Sequence, residues 1–136
     1  METIRTTYLG ELRTEAIHVQ SGEELITDAP VDNQGKGEYF SPTDLVANAL
    51  ASCMLTIMGI VARRYNFNID GTKVKSTKIM SDSPRRIGEI IVELDFPESA
   101  YSDKEKALIE QASKICPVAM SLHPDVKQTI IFHFHD

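Results

Sequence analysis

The N-terminal third of the chain alternates between apolar and polar positions, the period of a half-buried strand. Residues 3–9 and 12–20 read as two strands, the second (LRTEAIHVQ) rich in β-branched side chains, with Gly10-Glu11 as a tight turn between them. Ser21-Gly22 marks a turn into a third short strand, EELITD at 23–28. The meander gives way to APVDNQGKGEYFSP at 29–42, which has two prolines, two glycines and no period, so it reads as a loop. It is longer than most connections, and long ordered loops in compact domains are often functional.

A different pattern starts at Ser41. Ser41-Pro42-Thr43-Asp44 places an N-cap serine before a first-turn proline, with a carboxylate able to reach back to the Ser41 N–H. The helix it opens is predicted to run to about Arg64 or Tyr65, where basic residues suit its C-terminal dipole. Residues 45–62 carry no charge over 18 positions, the lower edge of a membrane span. Asn48, Ser52 and Thr56 interrupt them and no second such stretch exists, so the expectation is a helix buried in a soluble domain or dimer. Two long strands follow at 70–81 and 86–96, with Val74, Thr77 and Ile79 and then Ile90, Val92, Leu94 and Phe96 as the apolar positions. Asp82–Arg85 joins them as a hairpin. Ser102-Asp-Lys-Glu is a second capping box, opening a helix that Cys116-Pro117 interrupts. A helical turn to Leu122 and a final strand, VKQTIIFHFH, close the chain. The predicted class is α+β, in the order βββ-α-ββ-α-β, as one domain over residues 1–136.

Composition adds little to this beyond exclusions. With 136 residues, 42% hydrophobic and 25% charged, the chain has ordinary globular proportions. A net charge of −6 argues against nucleic acid as partner, since phosphate binding needs a basic surface. The polar N-terminus does not resemble a secretory signal, and two cysteines are too few for a secreted disulfide scaffold. A cytoplasmic location without membrane association is the expectation.

In a reducing compartment the two cysteines are either inert core residues or a redox couple. Cys53 lies mid-helix, where a free cysteine usually packs as a small hydrophobe. Cys116 precedes Pro117 at a helix break, where a new helix N-terminus would lower a thiol pKa. Whether the sulfurs meet is a matter of tertiary structure, because a disulfide needs Cα atoms within roughly 4.4–6.8 Å. Asn48, Ser52 and Thr56 recur every four residues beside Asp44, a stripe suited to hydrogen bonding between helices across a dimer. Met54, Met58 and Met120 suit core filling or an apolar pocket. His133 and His135 share a strand face, a weak metal signal without further ligands.

The stretch SPTDLVANALASCM, followed some 60 residues later by KICPVAMSL, resembles the paired motifs of the OsmC/Ohr family. There a Ser/Asn-Pro-x-Glu-Leu-type helix start leads into an Ala-rich helix bearing one cysteine, and the other lies in a Cys-Pro-hydrophobic segment at a helix break. The element order and the Gly-rich loop match as well, so the resemblance spans nearly the whole chain. It implies an OsmC-like fold in which long central helices are wrapped by sheets of both chains in an intertwined homodimer. It further implies a thiol peroxidase for organic hydroperoxides that binds no cofactor. Cys53 would be the nucleophile and Cys116 the resolving thiol, with an external dithiol of the dihydrolipoamide type, free or on a lipoylated protein, as reductant. The alternative is a non-enzymatic member that binds a small ligand or senses redox state.

The resemblance also implies an arginine from the N-terminal strands beside the thiolate. Arg13 in GELRTE is the first candidate and Arg5 the second. In the organic-hydroperoxide-resistance branch a glutamate ten residues before the nucleophile holds that arginine; Thr43 stands there in this chain. Asp44 is nine before, and at about 100° per residue it lies on the opposite helix face from Cys53, which suits a capping role. Glu38, in the preceding loop, is a further candidate partner for the arginine.

Overall fold

The N-terminal alternation folds as three antiparallel strands, β1 (Ile4–Gly10), β2 (Arg13–His18) and β3 (Glu24–Asp28), in the order β1-β2-β3. This architecture comes from a computed structural model of the chain, which describes residues 1–97 and 100–135. The first turn falls one residue later than its sequence suggests. Glu11 and Leu12 both take positive φ (57° and 62°), the backbone sense that matches the twist of a two-residue hairpin. At the second turn Gly22, at φ 77°, donates its N–H to the His18 carbonyl at 2.7 Å.

The loop after β3 contains a single 3-10 turn at Val31–Asn33. The Pro30 carbonyl accepts from the N–H of both Asn33 and Gly35, each at 2.9 Å. Gly35 is required there, since a Cβ on it would lie 1.6 Å from the Ala29 carbonyl oxygen. The Asp28 N–H donates to the Phe40 carbonyl at 3.1 Å, so the far end of the loop returns to β3.

Helix α1 (Pro42–Arg64) starts and stops where its caps predict. Ser41 and Asp44 form the capping box in both directions, at 2.9 and 3.0 Å. The chain divides into two compact units, Met1–Val46 and Ala47–Asp136, with the division falling inside this helix.

In the second unit β4 (Lys73–Ser81), β5 (Arg86–Asp95) and β6 (Lys127–His133) make a three-stranded sheet in that order. β4 starts later than the expected 70, because Asp70 and Gly71 belong to a turn in which the Asp70 N–H donates to Asn68 Oδ1 at 2.6 Å. β4 and β5 are antiparallel, whereas β6 runs parallel to β5. Parallel pairing needs a crossover, and α2 (Asp103–Lys114) with the short α3 (Pro117–Ser121) supplies it. The Ser102–Glu105 capping box holds both of its bonds, at 2.9 and 3.1 Å.

Burial follows the strand period on β5, where Ile90, Val92 and Leu94 are fully enclosed. It departs from expectation on β4: Val74 is half-buried, but Thr77 and Ile79 are exposed. A period of two puts Thr77 and Ile79 on the opposite face from Val74, so the three never shared a side. Leu50, Met54 and Met58 of α1, Ile109 of α2, and Phe96 complete the enclosed core. Phe96 stacks on Phe134 at 4.8 Å between centroids and meets Tyr101 edge-on at 6.0 Å.

By length and composition α1 is apolar enough to cross a membrane, though the core helix of a soluble protein passes the same test. A third of its most apolar window is buried within the chain. Asn48, Ser52 and Thr56 are exposed, and the Thr56 hydroxyl donates to the Ser52 carbonyl at 2.8 Å within the helix itself.

Candidate functional site

Helix α1 carries Cys53 at its midpoint, half-buried and with a free thiol. The other free thiol, Cys116, is sealed from solvent at the break between α2 and α3. Proline cannot continue α2, because its ring clashes and it lacks an N–H, but it is suited to a first helical position. Pro117 therefore begins α3 and leaves Cys116 as the N-cap, whose Sγ accepts the Ala119 N–H at 3.2 Å. Cys53 lies near enough to Cys116 to influence its ionisation.

The pKa of Cys116 moves opposite to the sequence expectation. Burial pushes its thiol up, and proximity to Cys53 adds to this. The N–H groups of Ala119 and Val118 pull the other way, as a helix start should, and are outweighed. A five-residue helix offers little field against complete enclosure. Cys116 therefore keeps its proton at neutral pH, and Cys53 is the thiol that a reagent from solvent can reach.

Arg13 lies in the first unit, at the start of β2. The antiparallel register sets Arg13 directly opposite Asp28. Its Nε donates to Asp28 Oδ1 at 2.7 Å and its Nη2 to Asp28 Oδ2 at 2.9 Å, a two-pronged fork on a buried carboxylate. Nη2 also donates to Glu38 Oε1 at 2.9 Å, and the Glu38 N–H donates to Asp28 Oδ2 at 3.1 Å. The Tyr39 ring lies 4.8 Å from the guanidinium carbon. The fork holds the Asp28 carboxyl below its ordinary range, against burial, which pushes it up. Asp28, with Glu38, holds Arg13 strongly protonated.

Glu38 thus does contact the arginine. Asp28 was not singled out from sequence, although a legible signal existed: a turn at Ser21-Gly22 closes the hairpin so that 13 faces 28. Arg5, the second candidate, makes only an exposed ion pair with Glu2 at 3.1 Å. Thr43 pairs its hydroxyl with that of Ser41 at 3.2 Å, and Asp44 is occupied as the capping residue.

The remaining candidates resolve otherwise. Met54 and Met58 are core residues, while Met120 is 72% exposed and borders a groove of about 500 Å³ with Ser113, Lys114 and Phe132. His133 stands 3.7 Å from Glu93, and His135 pairs with Asp95 at 2.5 Å. No group of three or more His, Cys, Asp or Glu side chains among the described residues is arranged to hold a metal.

The fold and its paired thiols define an α+β protein of the OsmC type, and the comparisons agree. The model of the family described as OsmC-like protein matches residues 35–130, and the chain belongs to that family. A Psychrobacter arcticus 273-4 protein assigned to osmotic stress induction and detoxification response is 53% identical over 98% of this chain and 96% of its own, with a TM-score of 0.93. An OsmC-like protein from Mycoplasma pneumoniae shares the fold at 20% identity and a TM-score of 0.78, covering 98% of this chain and 96% of its own. The organic hydroperoxide resistance protein OsmC of Legionella pneumophila does so at 15% and 0.77, covering 98% of both. No curated protein matches the chain.

Proposed function

We propose that this protein is a thiol-dependent peroxidase that reduces organic hydroperoxides, with Cys53 as nucleophile and Cys116 as resolving thiol. The observation that carries the reading is a half-buried thiol and an enclosed one, near enough for Cys53 to raise the pKa of Cys116. The Cys53 thiolate attacks the outer oxygen of the hydroperoxide. The O–O bond breaks, Cys53 becomes a sulfenic acid, and the alkoxide takes up a proton and leaves as an alcohol. Cys116 Sγ then attacks the sulfenic sulfur, forming the disulfide and releasing water. An external dithiol of the dihydrolipoamide type, free or on a lipoylated protein, reopens the disulfide by two exchanges and ends as its own disulfide. No bound cofactor enters any step.

Arg13 supplies the positive charge that favours the Cys53 thiolate, and a cytoplasmic homodimer is the working form. Exposed apolar residues support the dimer: Tyr8, Leu9, Leu12, Phe40 and Ile60 are each at least 45% accessible, and a second copy of the chain would cover them. The names of fold relatives, organic hydroperoxide resistance proteins among them, support the chemistry.

The test is consumption of cumene hydroperoxide with dihydrolipoamide as reductant. Wild type is expected to turn over, Cys53→Ser to be inactive, and Cys116→Ser to accumulate a dimedone-reactive sulfenic acid on Cys53. Wild-type turnover no faster than free dithiol sinks the peroxidase reading and leaves a small-ligand-binding or redox-sensing protein in its place.

A further inference from the structure

We propose that α3 is a redox-sensitive element: joining Cys116 to Cys53 in a disulfide takes away the N-cap of this helix and loosens it, so that the state of an enclosed thiol is displayed at the surface. The inference goes beyond the proposed function and shares with it only the pairing of the two cysteines, not peroxide turnover. In the reduced chain Cys116 Sγ accepts the Ala119 N–H at 3.2 Å, and the Cys116 carbonyl accepts the Met120 N–H at 3.1 Å.

Packing gives this helix little support. α3 is five residues long and none of them is buried, and a helix that short is not stable in water on its own. Beyond the two bonds at Cys116, the Ser121 hydroxyl donates to the Pro117 carbonyl at 2.7 Å and Gln128 Nε2 to the Ala119 carbonyl at 3.1 Å. The capping bond is the one that oxidation reaches. A covalent bond to Cys53 sets the Cys116 sulfur by the position of α1 instead of by the first turn of α3, and leaves the Ala119 N–H without its acceptor. Ala119 and Met120 line the groove of about 500 Å³ together with Gln128, Ile130 and Phe132 of β6, so loosening α3 reshapes a surface groove.

The experiment follows amide hydrogen exchange at Ala119 and Met120 by NMR in the full chain before and after diamide, with the buried Ile109 and Ala112 of α2 as internal reference. Diamide takes up both thiol hydrogens and becomes its hydrazine as the S–S bond forms, so the linked chain is lighter by those hydrogens in intact mass. Loss of a weak cap corresponds to about a twofold to tenfold change. Exchange at Ala119 and Met120 is expected to quicken by that factor in the linked chain, while Ile109 and Ala112 stay slow. Cys116→Ala has neither cap nor link and should exchange fast at α3 without oxidant. Cys116→Ser caps but cannot link, and Cys53→Ser keeps the cap sulfur but gives it no thiol to join, so both should stay slow after diamide. A linked wild type with unchanged α3 rates, or with an equal quickening at Ile109 and Ala112, overturns the inference alone. So does a Cys116→Ala chain as protected as wild type, or a reduced wild type whose α3 amides are already unprotected, since an open helix has no cap to lose. Failure of the link to form overturns the inference together with the resolving role of Cys116, whereas absent peroxide turnover in a chain that links touches only the peroxidase reading.

Discussion

Among residues 1–46 the buried side chains are Thr27, Asp28 and Ser41, all polar, while Ile4, Tyr8, Leu9, Leu12 and Leu25 stand exposed. In the unit beginning at Ala47 the pattern inverts: Leu50, Met54, Met58, Ile90, Val92, Leu94, Phe96 and Ile109 are all sealed from solvent. The first unit encloses a charged fork and leaves its apolar side chains uncovered; the second encloses a conventional core. Three strands with an exposed apolar surface hold together poorly in water unless something packs on them. The contrast teaches that the two units are stabilised by different means. The second depends on close packing and the first on directional polar bonds, with its apolar surface left for a cover that the homodimer reading provides.

The sharpest way to break that contrast is to hollow the core. Phe96→Ala should cost about 3–5 kcal/mol in urea unfolding, and a loss below about 1 kcal/mol would mean that the aromatic stack is not a main store of stability. Ser102→Ala removes a capping box and should cost about 1 kcal/mol; no change in the urea midpoint would show that α2 is held by its packing alone.

A third test reads the polar unit by pH. Asp28 has its folded pKa depressed by Arg13, so its stabilising share is present above the unfolded carboxylate value, about 3.9, and is lost as pH falls through the lower folded value. Wild type should therefore lose thermal stability toward Asp28→Asn as pH drops below about 4. A constant difference in Tm between the two across that range would contradict the fork as the source. Cys116 has the opposite sign. Its folded pKa is raised, so its share is present below the unfolded thiol value of about 8.5 and fades as pH rises through the higher folded one. Stability should thus decline above about pH 8.5 in wild type and less so in Cys116→Ser.

The smallest effect is expected on the exposed sheet. Leu12→Ser, at a side chain 45% exposed, should change the stability of an isolated chain by about 0.5 kcal/mol or less. If a second copy covers this surface, the change grows, depends on protein concentration, and appears in sedimentation as a weakened dimer. A loss independent of concentration would count against the cover.

Local chemistry was written plainly in the chain. Both capping boxes, the break at Pro117, the turn at Gly22 and the length of α1 each depend on groups within about four residues of one another, so the sequence by itself determined them. The paired cysteine motifs were equally legible, since they pointed to a family whose model matches this chain. What only the tertiary structure decided are relations between residues far apart: Cys53 near enough to Cys116 to raise its pKa, Arg13 bound to Asp28 and Glu38, and β6 lying parallel to β5. It also decided the pKa of Cys116, because the helix start that lowers it is local whereas the enclosure that raises it comes from the whole core. A spacing along the chain says which side chains exist; burial and electrostatics depend on distances in space, which become definite only when the strands have paired and the core has closed.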